Sequence, residues 1–110
     1  MKNKESVLNY FETFSNKNID ELEKMFSDDI VLIDWNFNSE GKELVVKDFK
    51  TIFEDVDTIK VTPVKFYSHS DFDYAVQIEI LVNGKETLEV IDTLKFNSEG
   101  LINYIEAYKV

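Results

Sequence analysis

From residue 58 to its end the chain is patterned as strand almost without interruption, and this narrows its possible folds more than any other feature. Runs at about 58–69, 74–82, 86–96 and 101–109 are rich in β-branched residues or alternate apolar with polar positions. Asn83-Gly84 joins the second run to the third as a tight hairpin, and Asn97-Ser98-Glu99-Gly100 joins the third to the fourth. Runs linked by turns this short pair antiparallel. Pro63 cannot donate to a ladder, so it marks the first run as an edge strand or a bulge.

The first half has a different period. Val7, Tyr10, Phe11 and Phe14 recur at helical spacing and predict an amphipathic helix over about 4–16. Asn18 or Asp20 starts a short second helix with Leu22, Met25 and Phe26 inward, which Asp28-Asp29 ends. Ile30–Trp35 reads as a short buried strand. Gly41 opens a third helix, with Val45, Phe49, Ile52, Phe53 and Val56 as its apolar stripe. Helices first and a meander last indicate an α+β fold. The 110 residues suffice for a single domain, 1–110, with one core. Three N-terminal helices packed into a curved, mainly antiparallel sheet would leave a hollow between the two layers.

One residue breaks the strand pattern. In the third long run, Leu88, Val90, Asp92, Leu94 and Phe96 share a face, while Thr87, Glu89, Ile91, Thr93 and Lys95 share the other. Asp92 therefore points with four apolar neighbours toward the helices. A carboxylate there loses hydration, a large cost unless it is hydrogen-bonded, paired or protonated. It is the first functional candidate.

Composition removes several classes of function. Net charge is −10, and all 12 basic residues are lysine. Such a chain repels nucleic acid, and without arginine it has no bidentate clamp for phosphate or carboxylate. No cysteine is present, which excludes disulfides and thiolate chemistry. The sequence contains no Gly-rich phosphate loop, His/Glu metal spacing or nucleotide fingerprint, so neither cofactor nor metal is expected. No apolar stretch approaches a membrane span, and no signal-like segment follows Met1. A cytoplasmic protein is the resulting expectation.

The element order and several strings resemble the cone-shaped NTF2-like superfamily, which includes SnoaL-like cyclases and ketosteroid isomerases. The strings are Tyr10-Phe11-Glu12-Thr13-Phe14, Met25-Phe26-Ser27-Asp28-Asp29-Ile30-Val31-Leu32-Ile33-Asp34, Gly41-Lys42-Glu43, and the run Val90 to Ile102. The resemblance implies a cone-shaped α+β barrel. It also aligns Tyr10, Asp34 and Asp92 with the catalytic tyrosine, first-strand aspartate and late-strand aspartate of the isomerases. In those enzymes the first-strand aspartate moves a proton between carbons, while the tyrosine and a protonated aspartic acid donate to the dienolate oxygen; ketosteroid isomerase is the standard worked example of a carboxylic acid kept neutral by an apolar site. The isomerases often support the tyrosine with further tyrosines, where this chain has Phe26 and Phe49. Limonene-type epoxide hydrolysis needs an arginine between two aspartates, and scytalone-type dehydration needs histidines. This chain has no arginine and one histidine.

On their own chemistry the three candidates keep alternatives. Asp92 is either an oxyanion donor or a buried acid bonded to backbone or lysine. Asp34 is either a general base at a pocket mouth or a strand-end acid bonded to the following turn. Tyr10 fits a helix's core stripe as well as a site. Phe14, Phe26, Trp35, Phe49, Val90 and Tyr108 are the expected pocket lining, with ordinary aromatic core as the other reading for Trp35, Phe37 and Tyr108. Ser68-His69-Ser70-Asp71 has triad residue types, but strand neighbours point in opposite directions, so His69 reads as surface. Asp71-Phe72-Asp73 and Asp55-Val56-Asp57 lack the glycine and glutamate of a calcium loop. The expected partners are a small hydrophobic ligand or substrate and a second copy, docked through the sheet face where Leu81 and Ile91 lie amid Gln77, Glu79 and Thr93. The function is then proton transfer on a small apolar carbonyl compound, or non-catalytic ligand binding or dimerisation.

Overall fold

Helix α1 (Lys4–Ser15) buries the stripe Val7, Tyr10, Phe11 and Phe14 in a computed structural model that describes residues 2–110. It ends at a left-handed residue that is not glycine: Lys17 has φ 55°. The Lys17 amide donates to the Phe14 carbonyl at 2.9 Å and the Asn18 amide to the Thr13 carbonyl at 3.1 Å. These are the two bonds of a Schellman cap. A side chain at that φ costs on the order of 1 kcal/mol. The Lys17 ammonium offsets this by donating to the Phe53 and Asp57 carbonyls at 2.9 and 3.0 Å and also to the Val56 carbonyl. One lysine thus ends α1 and caps the negative end of the third helix.

Asn18 caps α2 (Ile19–Met25), its side-chain oxygen accepting from the Glu21 amide at 3.2 Å. The chain passes directly into β1 (Phe26–Ile33), so the first strand begins four residues earlier than Ile30. Asp28 and Asp29 are exposed strand residues, at an irregularity between Phe26 and Val31. A three-residue strand, β2 (Asn38–Glu40), follows; it is too short and polar to have been visible in the sequence. Gly41, at φ 96°, makes the turn into α3 (Lys42–Asp55), and its amide donates to the Ile30 carbonyl at 2.8 Å.

The remaining strands are β3 (Ile59–Ser70), β4 (Asp73–Val82), β5 (Glu86–Phe96) and β6 (Ile102–Lys109). They form one six-stranded sheet in the order β2-β1-β6-β5-β4-β3. Every neighbouring pair is antiparallel except β1 with β6. Pro63 lies on the edge strand β3 beside a register shift to Lys65, so it marks both an edge and a bulge. Asn83 and Gly84 both have positive φ, as the tight β4–β5 turn requires. The Asn83 side chain also accepts from the Asp57 and Thr58 amides at 2.7 and 3.1 Å, tying that turn to the end of α3.

The helices cover one sheet face and the core lies between. Alternation places Leu81 and Ile91, with Gln77, Glu79 and Thr93, on the opposite face. Among the described residues, no helix is long and apolar enough to cross a membrane. Lys17→Met is expected to destabilise the fold by about 1–3 kcal/mol in urea unfolding, the usual range for losing hydrogen bonds from a charged donor. Lys17→Gly should lose less, because it relieves the left-handed strain.

Candidate functional site

Aromatic rings fill only part of the space between the layers. Tyr10 stands 6.4 Å from both Phe26 and Phe49, Phe14 lies 5.8 Å from Phe49, and Phe53 lies 5.2 Å from Phe14 (ring centroids). Beyond them the cone stays open as a cavity of about 530 Å³, within the usual size of small-ligand sites. Most of its wall is aliphatic, drawn from strands that share Asp92's face: Ile78, Ile80, Leu88, Val90 and Ile105.

Tyr10, Asp34 and Asp92 all line this cavity. Asp92 sits mid-strand on β5, opposite Val76 and Ala107, and is only 7% exposed. Burial, and then the charge of Asp34, push its carboxyl from 3.8 up to about 7. No described residue donates a hydrogen bond to it, so the alternative of a buried acid held by backbone or lysine does not describe it. Tyr10 is 3% exposed. Burial, then the charges of Asp92 and Asp34, raise its hydroxyl well above the usual phenol value and keep it a neutral donor.

Asp34 follows the last residue of β1 and is half-buried. Its Oδ1 accepts from the Asn36 and Phe37 amides, both at 2.7 Å, and its own amide donates to the Phe37 carbonyl at 2.9 Å. The turn occupies only Oδ1 and leaves Oδ2 without a described partner, so Asp34 both holds the turn and faces the cavity.

The expected lining is found at Phe14, Trp35, Phe49 and Val90, and Phe37 contributes as well. Two positions differ. Phe26 is fully buried beneath the rings of Tyr10 and Phe49, its centroid 5.5 Å from Phe49, and does not reach the cavity. Tyr108 is paired with Ile91, the outward neighbour of Asp92, so alternation turns it to the far face, where it is 50% exposed. His69 is exposed, at the second-last position of β3, and does not line the cavity. Asp55 and Glu86 also reach the cavity mouth. The sequence offered Asp55 only within an incomplete calcium-loop spacing; Glu86 was not singled out, though it shares the parity of Asp92 and could have been found from it.

A curved sheet closed by three helices over an apolar cavity defines the cone-shaped α+β pocket class. Residues 7–105 match the SnoaL-like domain family, and the chain belongs to that family, with an NTF2-like fold. Among curated proteins none matches the sequence. The fold is similar to that of SalBIII, an epoxide hydrolase/cyclase-like enzyme in pyran ring formation in polyether salinomycin, with TM-score 0.85 and 17% identity over 99% of this chain and 91% of that one. It is also similar to a protein from Agrobacterium tumefaciens assigned as an isomerase of the SnoaL-like family, with TM-score 0.82 and 8% identity over 100% and 99% of the two chains. A computationally designed 17-OHP binder gives TM-score 0.81 and 18% identity over 93% of this chain and 88% of that one.

Because folding raises the Asp92 carboxyl from 3.8 to about 7, the folded state holds this proton more tightly than the unfolded chain. The stability it contributes is full below about pH 4 and is lost as pH rises through 7. A shift of this size corresponds to about 4 kcal/mol at most. Asp92→Asn, neutral throughout, should flatten that decline, so that urea midpoints measured from pH 5 to 8 show the variant gaining on the wild type. Parallel pH profiles would show that Asp92 does not titrate in this window.

Proposed function

We propose that this protein catalyses proton transfer on a small, mostly apolar carbonyl compound, working without a cofactor in the cytoplasm. The observation that carries the reading is a buried carboxyl without a described partner and a buried hydroxyl, both facing the cavity that a second aspartate also lines. Asp34 Oδ2 takes a proton from the carbon next to the carbonyl, and the electron pair moves onto the carbonyl oxygen. Tyr10 and protonated Asp92 donate to that oxygen as it becomes an enolate. Asp34 then returns the proton to the far carbon of the conjugated system, which moves the double bond and regenerates the base. In known sites each such donor contributes about 2.7–4 kcal/mol and a positioned base about 10²–10⁴-fold. Phe26 and Phe49 give Tyr10 no hydroxyl to lean on, so Asp92 carries more of the oxyanion's charge here than an acid backed by a tyrosine network would.

Isomerisation of unconjugated enones, followed by the ultraviolet absorbance of the conjugated product, tests this directly. Asp34→Asn keeps an acceptor for the Asn36 and Phe37 amides, so the turn survives while the base is lost. Its kcat should fall by about 10²–10⁴. A phenol, mimicking the enolate, should bind wild type about tenfold or more better than Tyr10→Phe. Rate should also decline above about pH 7 as Asp92 loses the proton it donates. Unchanged turnover in Asp34→Asn would remove the reaction as written.

The two hydrogen bonds that Asp34 makes within its own turn favour a second reading, in which that residue is structural and the cavity only holds a hydrophobic ligand. The designed 17-OHP binder supports it, since the same fold there serves binding. Tight binding with no turnover, indifferent to Asp34→Asn, would decide for it. A homodimer through the outer sheet face belongs to the same proposal. Leu81, Tyr67 and Tyr108 are exposed there around Ile91. Sedimentation velocity should show a dimer that Ile91→Lys converts to monomer; a wild-type monomer would end this part of the proposal.

A further inference from the structure

The mouth of the cavity is chemically unlike its floor. Its exposed lining residues are Trp35, Asn36, Asp55 and Glu86, with half-buried Asp34 beside them. Three of these are carboxylates, contributed by the β1–β2 turn, the end of α3 and the start of β5. Among the described residues the ion pairs are Lys24–Glu21 and Lys42–Asp28, so none of the three mouth acids is neutralised by a paired lysine. Of the nearby lysines, Lys85 precedes Glu86 in the chain and, among the described residues, forms no ion pair. Lys17 spends its ammonium on the last carbonyls of α3. Lys109 lies 5.3 Å from the centre of the Trp35 ring. The three acids are also not gathered tightly enough to enclose a metal ion. Their field is spread around an opening.

An acidic rim alone would be an ordinary solvated surface. Here the same cavity has an independent demand for a ligand: Asp92, more than nine-tenths buried, faces it without a described partner. A ligand that satisfies Asp92 and Tyr10 must carry its polar oxygen at the floor and an apolar body along Ile78, Ile80 and Leu88. Its other end then lies at the rim, against Asp55, Glu86 and the edge of Trp35, which is 42% exposed.

We propose that the cavity selects ligands built as an apolar carbonyl or phenol body ending in a protonated amine, with the amine held by Asp55 and Glu86 at the mouth. The oxygen end of this description rests on the proposed function; the amine end does not. An ammonium at the rim gains from both carboxylates. A carboxylate or phosphate there meets three like charges and no arginine, within a chain of net charge −10.

Three naphthols that differ only in an aminoethyl, ethyl or carboxyethyl tail separate these effects by titration calorimetry. At low ionic strength the amine should bind about tenfold tighter than the neutral probe, and the carboxylate about tenfold weaker. The order should shrink at 300 mM salt and collapse in the double variant Asp55→Asn, Glu86→Gln, whose positions are exposed and whose fold circular dichroism can verify. Equal affinities for the amine and carboxylate, or a preference that survives in the double variant, would overturn the inference. So would failure of all three to bind, which would also sink the pocket reading. An amine preference in a protein that isomerises no enone would uphold the selection at the mouth while removing proton transfer at the floor.

Discussion

The aromatic wedge between the helices and the sheet is the constraint on which the rest depends. Tyr10, Phe14, Phe26, Phe49 and Phe53 pack at centroid separations of 5.2–6.4 Å. Rings of this size hold α1 and α3 away from the strands while burying large apolar areas themselves. Because they come from the two long helices and the start of β1, they gather at one end of the cone. The other end is walled by the shorter Ile, Leu and Val side chains of β4, β5 and β6, which do not reach across. The cavity is where the wedge stops.

That geometry also sets the electrostatics. Asp92 stands on the sheet face opposite the wedge, where its neighbours are aliphatic and no amide is free, since β5 is paired on both sides. Burial therefore dominates its titration, and the Asp34 charge adds to it. Asp34, at the end of β1, has backbone donors because the chain is turning there. Asp92 is thus governed by desolvation, while Asp34 is held by the hydrogen bonds of its turn, and the difference arises from where each residue falls relative to a strand's end.

The same distinction explains what the sequence revealed. Alternation along Leu88–Phe96 placed Asp92 in the interior correctly, because one face of β5 is unambiguously apolar. The helix stripes and the hairpin at Asn83-Gly84 were readable for the same reason: each is a local period or a local turn rule. Tyr108 was misread because its direction depends on register with β5, a non-local fact; paired with Ile91, it must point outward. Phe26 looked like a ring at helix end facing inward, yet the chain extends there, and the side chain drops below Tyr10 and Phe49 rather than beside the cavity. Strand β2 carries no apolar pattern and exists only because Val31, Leu32 and Ile33 offer it an edge. Both readings of Asp34 were open in the sequence; the turn bonds are present on Oδ1, and the same residue lines the cavity.

Sharing a fold with SalBIII at 17% identity fixes the shape of the cone, not its chemistry. What narrows the chemistry is the supply of groups within reach of the cavity. With no arginine in the chain and its one histidine exposed on β3, the titratable groups lining the cavity are Tyr10, Asp34, Asp55, Glu86 and Asp92. Asp55 and Glu86 are at the solvent edge, where water screens them and can do the same work. Tyr10 and Asp92 lie in the buried part of the cavity, with half-buried Asp34 at its mouth. A reaction that needs a cationic electrophile has no group here to supply one. The proposed proton transfer asks only for one base and for neutral donors to an oxygen that becomes negative.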